Sequence, residues 1–539
     1  MPATLVARDV TVAFGDHLVL DRVSLTVPPG ARIGVVAVNG TGKTTLLRAL
    51  AGLQPVEGGS VTLAPPSASV GYLPQEPERR AGEPVRAFLG RRTGVEAADA
   101  ELDAATAALA AGEAGGDVRY ATALERWMAL GGADLDSRIG PHWAGLGLAP
   151  KLLDQDTTTL SGGEAARASM AGILLSQFDV FLLDEPTNDL DFDGLDRLER
   201  FLEQLAVGVV IVSHDRAFLE RTITSVLEIA ENDHTASFFE GGWEAYLEGR
   251  ATQRRHAEED FAEYRTTTRQ LTERVRTQRR WAVQGVGAIK KRPKDHDKAQ
   301  RGFFTNRTEK QAAKVRVSEK ALERLAPVDK PWEAWELRFS VASAPRSGDV
   351  VARLDGAVVE RGSFRLGPID VEINWGDRVA VLGPNGSGKS TLLAAILGRV
   401  PLVAGERRLG PGVVVGEVDQ PRGRLVGPDT LVAAFTAESG IELQSEARSL
   451  LAKFGLGADH ANRPASSLTP GERTRATLAV LMAKSVNCLV LDEPTNHLDL
   501  RAIEQLETAL DSFDGTLVLV THDRRLLEAV RIERTITLG

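Results

Sequence analysis

The sequence has 539 residues, of which 43% are hydrophobic and 26% charged, an ordinary globular composition long enough for several domains. Its apolar runs are strand-sized, far below the ~20 residues of a bilayer span, and nothing resembles a signal peptide. The single cysteine, Cys488, excludes an intrachain disulfide and any metal site built from several cysteines. These features predict a soluble, cytoplasmic protein without a membrane span.

The net charge of −10 is unevenly distributed. Residues 251–330 contain 21 Lys and Arg against 11 Asp and Glu, a net charge of +10, and the rest of the chain carries −20. An acidic body with one basic segment indicates that the segment meets a polyanion. A solvated pair of charged helices is the alternative.

One series of short motifs occurs twice, once before and once after the basic segment, and internal repeats of this kind define domain organisation. Each copy alternates strand-like and helix-like stretches, which predicts an α/β fold. We expect a first α/β domain over residues 1–244, an α-helical hairpin linker over 245–331, and a second α/β domain over 332–539.

The first copy opens with a candidate phosphate loop. After a strand over 33–38, the motif Asn39-Gly40-Thr41-Gly42-Lys43-Thr44-Thr45 begins a helix. Glycines let backbone N–H groups surround phosphate oxygens, the lysine reaches the terminal phosphates, and the next hydroxyl holds Mg²⁺. Ala37 replaces the first glycine of the pattern, far from the phosphates, and Phe14 can stack on adenine.

An insertion distinguishes the first copy. Gln75 and Ser161 are separated by 85 residues, whereas Gln420 and Thr469 in the second copy are separated by 48. The Ala-rich stretch 83–148 predicts helices. They form either a helical subdomain with a small arm or simply a larger helical subdomain.

The motif Leu160-Ser161-Gly162-Gly163-Glu164 resembles the signature motif of ABC ATPases, which caps a helix N-terminus and completes the ATP site of the partner domain through Ser161, Gly162 and Gly163. By itself it could be only a helix N-cap, with Ser161 as the cap and Glu164 three residues later. A buried strand then ends in Asp184-Glu185. The aspartate can hold Mg²⁺ through water, and the glutamate can polarise an attacking water. Asp191 follows, and His214 ends a later strand, where it can touch the γ-phosphate.

The second copy repeats these motifs with small departures. Its phosphate loop contains Asn385, Gly386, Ser387, Gly388, Lys389, Ser390 and Thr391. The signature-like residues Thr469 and Gly471, the acidic residues Asp492, Glu493 and Asp499, and the strand-end histidine His522 follow. Pro470 replaces a glycine of the first copy. Near Glu360 no aromatic residue corresponds to Phe14, and Phe364 is a weak substitute.

The basic segment shows apolar residues at 3–4 spacing, which predicts two antiparallel helices. A first helix from about Ala245 to Gln284 ends where Gly285 and Gly287 break it. Basic residues at the tip can neutralise RNA phosphates, and aromatic side chains can stack on unpaired bases or pack the end of the hairpin. The candidate RNA contacts are Lys290, Lys291, Arg292, Lys294, Lys298, Arg301, Phe303 and Phe304.

Taken together, these motifs resemble the ABC-F family, in which one chain carries two ABC ATPase domains and a charged helical linker. The resemblance covers nearly the whole chain and implies that Gln75 and Gln420 help to hold Mg²⁺. It implies ATP hydrolysis at two shared sites and binding to the 70S ribosome, near tRNA and rRNA at the exit site. The second domain and the linker look most like actinobacterial antibiotic-resistance members. A housekeeping translation factor, the ATPase subunit of a drug exporter and a DNA-associated repair ATPase remain alternatives.

Overall fold

The computed structural model describes residues 3–74, 79–188, 190–290, 346–362, 364–418, 425, 427–484, 486–496 and 498–539, with 313, 317, 320, 321, 324 and 325. Only the backbone is described for 281–290, 418, 470 and 471. The chain forms two compact units, one of Met1–Glu244 with Glu336–Gly539 and the other of Ala245–Trp335.

Within the described residues, the first half of the chain builds a six-stranded and a three-stranded sheet. The strands are β1 (Thr4–Phe14), β2 (His17–Val27), β3 (Arg32–Val36), β4 (Gly58–Ala64), β5 (Val70–Leu73), β6 (Val180–Asp184), β7 (Gly208–Val212), β8 (Ser225–Ile229) and β9 (Ala236–Glu240). The large sheet has the order β5-β6-β7-β3-β8-β9 and is parallel except for β9. The antiparallel small sheet has the order β2-β1-β4.

The central strands β6 and β7 are buried along their whole length. Both faces of a parallel sheet are covered, so such strands are apolar at nearly every position instead of alternating. Each strand delivers its polar residues at its carboxyl end, which places Asp184 and the residues after Val212 at the same edge of the sheet.

Eight helices precede the basic segment in the described part of the first half. They are α1 (Lys43–Leu50), α2 (Val85–Arg92), α3 (Val95–Ala110), α4 (Gly116–Ala129), α5 (Leu135–Gly145), α6 (Gly162–Leu175), α7 (Phe192–Gln204) and α8 (Arg216–Thr222). Helices α2 to α5 occupy most of the Ala-rich stretch. Trp143 is 1% exposed, and its indole N–H donates to the carbonyl oxygen of Ala149 at 3.0 Å.

The basic segment begins with one long helix, α9 (Gly242–Lys290), of 49 residues. At 1.5 Å per residue it is about 73 Å long. The expected break at Gly285 and Gly287 is wrong, because the helix continues through both glycines. A glycine inside a helix costs only about 1 kcal/mol relative to alanine, which is too little to end a helix alone.

The second half repeats the sheets of the first half. Its strands are β10 (Val350–Arg361), β11 (Phe364–Asn374), β12 (Arg378–Leu382), β13 (Ala404–Leu409), β14 (Val415–Val418), β15 (Cys488–Asp492), β16 (Thr516–Val520) and β17 (Arg534–Thr537). The large sheet, β14-β15-β16-β12-β17, is parallel throughout, and the small sheet has the order β11-β10-β13. Cys488 is a buried thiol in β15, as expected for a small apolar side chain.

The helices of this half are α10 (Lys389–Leu397), α11 (Leu431–Ser439), α12 (Gln444–Lys453), α13 (Ala458–Asn462), α14 (Pro470–Ala483), α15 (Leu500–Asp511) and α16 (Arg524–Ala529). Helix α10 packs with the sheets around an apolar core that includes Val381, Leu392 and Val518. Within the described residues, no helix has both the length and the apolar character needed to cross a membrane.

Candidate nucleotide-binding sites

Both candidate phosphate loops join a buried strand to a helix: residues 39–45 lead into α1, and residues 385–391 lead into α10. Gly42 has a φ of 102°, and a Cβ there would lie 2.6 Å from Cγ1 of Val19. Gly388 has a φ of 98°, and a Cβ there would lie 2.8 Å from the Phe364 ring. Only glycine fits these positions, where the free N–H groups of a helix N-terminus attract anions.

The position of Ala37 corresponds to Gly383 in the second half. At the matching position in the second half, a Cβ on Gly383 would come within 2.3 Å of the carbonyl oxygen of Leu538. The strands pair in the same way beside both positions, β3 with β8 and β12 with β17, and Ala37 is buried at 8% exposure.

The two loop lysines point back into their own loops. Nζ of Lys43 donates to the carbonyl oxygen of Ala37 and to Oδ1 of Asn39, both at 3.1 Å. Nζ of Lys389 donates to the carbonyl oxygens of Gly383 at 2.8 Å and Pro384 at 3.2 Å. Burial lowers the pKa of both lysines, and the nearby glutamates oppose this effect. Each ammonium group therefore lies where a terminal phosphate is expected to bind.

A hydroxyl and a carboxylate meet at the edge of the first sheet. Asp184 is 3% exposed and accepts hydrogen bonds from Thr44 and, at 3.1 Å, from the hydroxyl of Tyr72. Burial raises the pKa of Asp184, and these two hydrogen bonds partly offset the rise. Ser390 and Asp492 hold the matching positions in the second half. Such oxygen donors suit Mg²⁺, so the residues present fit the metal that the motifs imply.

The glutamate after each aspartate has an uncommon backbone conformation. The φ of Glu185 is 49° and that of Glu493 is 48°, the left-handed region that L-residues rarely adopt. Their backbone N–H groups donate to the carbonyl oxygens of Val212 and Val520. Strain of this kind, repeated at two matching positions, indicates that the direction of the side chain is functionally constrained.

Each glutamate faces the histidine of the neighbouring strand end. Oε1 of Glu185 lies 3.2 Å from Nε2 of His214, and Oε1 of Glu493 lies 3.4 Å from Nε2 of His522. Burial raises the pKa of Glu185 to about 7, although Lys43 lowers it. Burial lowers the pKa of His214 well below its usual value and that of His522 to about 4, so both imidazoles are neutral at pH 7.

The signature-like motif of the first half does two things. Ser161 and Glu164 form a reciprocal capping box at the start of α6. The same turn also contacts the other half: a Cβ on Gly163 would lie 3.4 Å from Cβ of Asn385, and Arg167 donates to the carbonyl oxygen of Asn385 at 3.2 Å. The cap and the contact with the phosphate loop therefore occur in one structure.

In the second half, Thr469 and Glu472 form the equivalent capping box at the start of α14, with Pro470 in the first helical turn. Arg463 donates to both carboxylate oxygens of Glu472 at 2.9 Å. Proline suits this position because the N–H that it lacks has no partner within the helix.

Two aspartates link the halves reciprocally. Oδ2 of Asp191 accepts from the backbone N–H of Asn385 at 2.9 Å, and Oδ2 of Asp499 accepts from that of Asn39 at 3.3 Å. The phosphate loop of each half therefore contacts the acidic-motif segment of the other half, which is a head-to-tail arrangement.

A cavity of about 1160 Å³ lies at this junction. Its lining includes Gly386, Gly388, Lys389, Ser390, Thr391, Asp492, Glu493 and His522 of the second half, and Gly162, Gly163, Asp184, Glu185 and His214 of the first. The phosphate-loop and acidic residues of the second half are thus brought together with the signature glycines of the first half, and we call this place the second site.

The cavity lining also includes Phe364, to which the sequence analysis gave little weight, and Arg361, which it did not identify. Phe14 pairs with His17 across a hairpin turn, whereas the matching hairpin pairs Arg361 with Phe364. The aromatic residue has thus moved to the opposite strand, and Arg361 takes the place of Phe14. Both Arg361 and Phe364 line the cavity, and Phe14 is 53% exposed. An alignment of the two hairpins by their turns would have found the pair.

Several predicted residues lie outside the described residues. These are Gln75, Gln420, Lys291, Arg292, Lys294, Lys298, Arg301, Phe303 and Phe304. Lys290 ends α9, but its side chain is not described. The predicted site residues not yet placed lie in the expected segments. Gly40, Thr41 and Thr45 lie in the first phosphate loop, Ser387 lies in the second, and Gly471 lies in the first turn of α14.

Comparison with known proteins agrees with this geometry. The ABC transporter family model matches residues 20–188 and 366–496, more than half of the chain. ABC transporter F family member 5 of Arabidopsis thaliana is 30% identical over 527 residues, covering 95% of this chain and 72% of that protein. The chain belongs to the ABC-F family.

Two bacterial relatives are similar along almost their whole length. The tylosin resistance ATP-binding protein TlrC of Streptomyces fradiae is 37% identical, covering 96% of this chain and 94% of that protein. The energy-dependent translational throttle protein EttA of Mycobacterium tuberculosis is 31% identical, covering 97% and 89%. This ABC-F chain therefore has two ABC ATPase domains that bind and hydrolyse ATP.

We expect the Phe364 ring to contribute to nucleotide affinity in this ABC-F protein. Phe364→Ala should weaken binding of a fluorescent ATP analogue at the second site roughly fivefold or more, because aromatic stacking on a base contributes about 1–3 kcal/mol. Phe364→Trp, which keeps a stacking surface, is the matched control. Equal affinity in wild type and Phe364→Ala would contradict the assignment.

Proposed function

We propose that this ABC-F protein binds the ribosome, acts on translation, and protects the ribosome against an antibiotic. The observation that carries the proposal is the similarity, over 96% of the chain, to a tylosin resistance protein that shares both ABC domains and the segment between them. The similarity to a translational throttle protein supports an action on translation. The basic composition of residues 251–330 supports a nucleic-acid partner.

In this proposal each ATP is held between the two domains. The first site combines Lys43, Glu185 and His214 with Thr469 and Gly471, and the second combines Lys389, Glu493 and His522 with Ser161, Gly162 and Gly163. The head-to-tail contacts of Asp191 and Gly163 with Asn385 support the pairing at the second site. At the first site it is supported by the contact of Asp499 with Asn39.

The chain's own groups then have distinct tasks. The loop N–H groups and the lysine bind the phosphates, while the signature turn binds from the opposite side. The catalytic glutamate orients a water molecule, and the neutral histidine beside it can donate a hydrogen bond to the γ-phosphate. Mg²⁺, bound by Thr44 and Asp184 or by Ser390 and Asp492 with Gln75 or Gln420, would neutralise phosphate charge.

The linker is proposed to carry the ribosomal contact. Its long first helix provides a rod of 49 residues, and the basic and aromatic residues at 290–304 are suited to rRNA or tRNA phosphates and unpaired bases. The extra helices α2 to α5 are a candidate second contact. A role as the ATPase subunit of an exporter would require a membrane partner and would not explain why the linker is basic.

The two ATP sites are predicted to be unequal. Both departures from the motifs, Ala37 and Pro470, fall in the first site, so the second should hydrolyse ATP faster. Glu493→Gln should therefore remove more than half of steady-state turnover, and Glu185→Gln less, as measured by phosphate release without ribosomes. The reverse order of the two variants would contradict the ranking.

The ribosomal part is tested by sedimentation. The double variant Glu185→Gln/Glu493→Gln should keep ATP bound and remain on 70S ribosomes in a sucrose gradient with ATP, because hydrolysis no longer opens the closed state. Binding should weaken as salt rises. Changing Lys290, Lys291, Arg292 and Lys294 to Ala in this background should release most of the protein. If the double variant stays at the top of the gradient, the ribosomal proposal fails and the exporter alternative gains support.

The resistance part is tested in cells. Expression of the wild-type chain in a tylosin-sensitive bacterium should raise the inhibitory tylosin concentration severalfold, and Phe303→Ala/Phe304→Ala should lose most of this effect while still binding ribosomes. Drug accumulation should be unchanged, because protection does not export the drug. Ribosome binding without any change in susceptibility would favour a housekeeping translation factor.

A further inference from the structure

The second site contains an aromatic contact that crosses between the two halves. Phe192, the first residue of α7, lies edge-on to the His522 ring with 5.2 Å between ring centroids and 75° between ring planes. Phe192 directly follows Asp191, which caps α7 through Gly194 at 3.0 Å and binds the backbone of Asn385. The ring is therefore carried by a helix end that is fixed to the second phosphate loop.

The contact matters because hydrogen bonds do not fix the His522 ring. Both ring nitrogens are buried and have no hydrogen-bond partner among the described residues. Nε2 lies 3.4 Å from Oε1 of Glu493 without hydrogen-bond geometry, while the His522 backbone N–H donates to Oε2 at 3.3 Å. The main chain is thus held by Glu493, and the orientation of the ring depends on what packs against it.

Arg524 also contacts the Phe192 ring. Its guanidinium carbon lies 5.8 Å from the centroid of the Phe192 ring, a cation–π distance. The same guanidinium donates to Oε1 of Glu199 at 2.9 Å and to Oδ1 of Asp196 at 2.5 Å, both on α7. Arg524 therefore ties the segment after His522 to the helix that carries Phe192.

Among the described residues, the first site shows no matching aromatic contact to its histidine. Leu500 follows Asp499 at the position that matches Phe192, and it is the first residue of α15. Arg216, which matches Arg524, forms an ion pair with Glu507 across the halves. Nε2 of His214 lies 3.2 Å from Oε1 of Glu185, closer than the corresponding pair of the second site. The two copies of the repeat therefore differ at this position: the second site has the Phe192 ring, and the first site has Leu500.

We infer that Phe192 is a positioning residue for ATP hydrolysis at the second site, acting by holding the His522 ring in place together with Arg524. The inference rests on the proposed assignment of His522 to that site. It adds a residue of the first half, outside the phosphate loop, signature and acidic motifs, to the determinants of turnover in the second half.

The test is a double-mutant cycle on steady-state ATPase kinetics of the full-length protein. With the first site silenced by Glu185→Gln, Phe192→Leu, which copies the first site, should lower kcat roughly fivefold with KM within about twofold, because misplacement of a catalytic group by 1 Å costs up to about 10²-fold. Phe192→Tyr should restore most of the rate. In a His522→Ala background, Phe192→Leu should have no further effect, since non-additivity marks residues that act as a unit.

Arg197→Ala is the matched control on the same helix. Arg197 forms only a solvent-facing pair with Asp193 at 2.9 Å among the ion pairs of the described residues, and its loss should leave kcat unchanged. If His522→Ala lowers kcat but Phe192→Leu does not, or if the two effects simply add, the inference is wrong. If His522→Ala itself has no effect, the assignment of the second site fails and the inference with it. Sedimentation with ribosomes tests the proposed ribosome binding separately, so a failure of that proposal can be told apart from a failure of this inference.

Discussion

The reciprocal contacts of Asp191 and Asp499 are the interactions on which the composite sites depend. Each carboxylate uses one oxygen to cap its own helix, through Gly194 or Ala502, and the other to accept from the phosphate loop of the opposite half. A helix N-terminus and a phosphate loop both offer unpaired N–H groups, and one carboxylate satisfies both. The start of α7 or α15 therefore cannot move without disturbing the opposite phosphate loop.

Both sites have these aspartate contacts, but they differ in the side chains nearby. The second has Phe192, Arg524 and the Arg361–Phe364 pair, whereas the first has Leu500 and an exposed Phe14. None of these differences touches the motifs that identify an ABC domain. The two sites therefore differ both in side chains just outside the motifs and in the motif departures at Ala37 and Pro470.

Much of the fold followed from the sequence because the motifs are local. The strand ending at Asp184 spans five residues, and the capping box joins Ser161 to Glu164, three positions later. By contrast, recognising the Arg361–Phe364 pair requires the pairing register of the hairpin, which the motifs do not give. The Phe192–His522 contact joins residues 330 positions apart, and only the docking of the two domains brings them together. The false helix break at Gly285 came from treating a cost of about 1 kcal/mol as decisive.

The left-handed backbone at Glu185 and Glu493 has a consequence for how this protein can lose activity. A glycine would adopt that conformation without the steric penalty that a Cβ imposes, so its folded state would carry less strain there. Loss of the carboxylate would then be accompanied by little loss of stability. An inactive form of this kind would escape the removal of unfolded protein and accumulate beside the active enzyme, competing for the same partners.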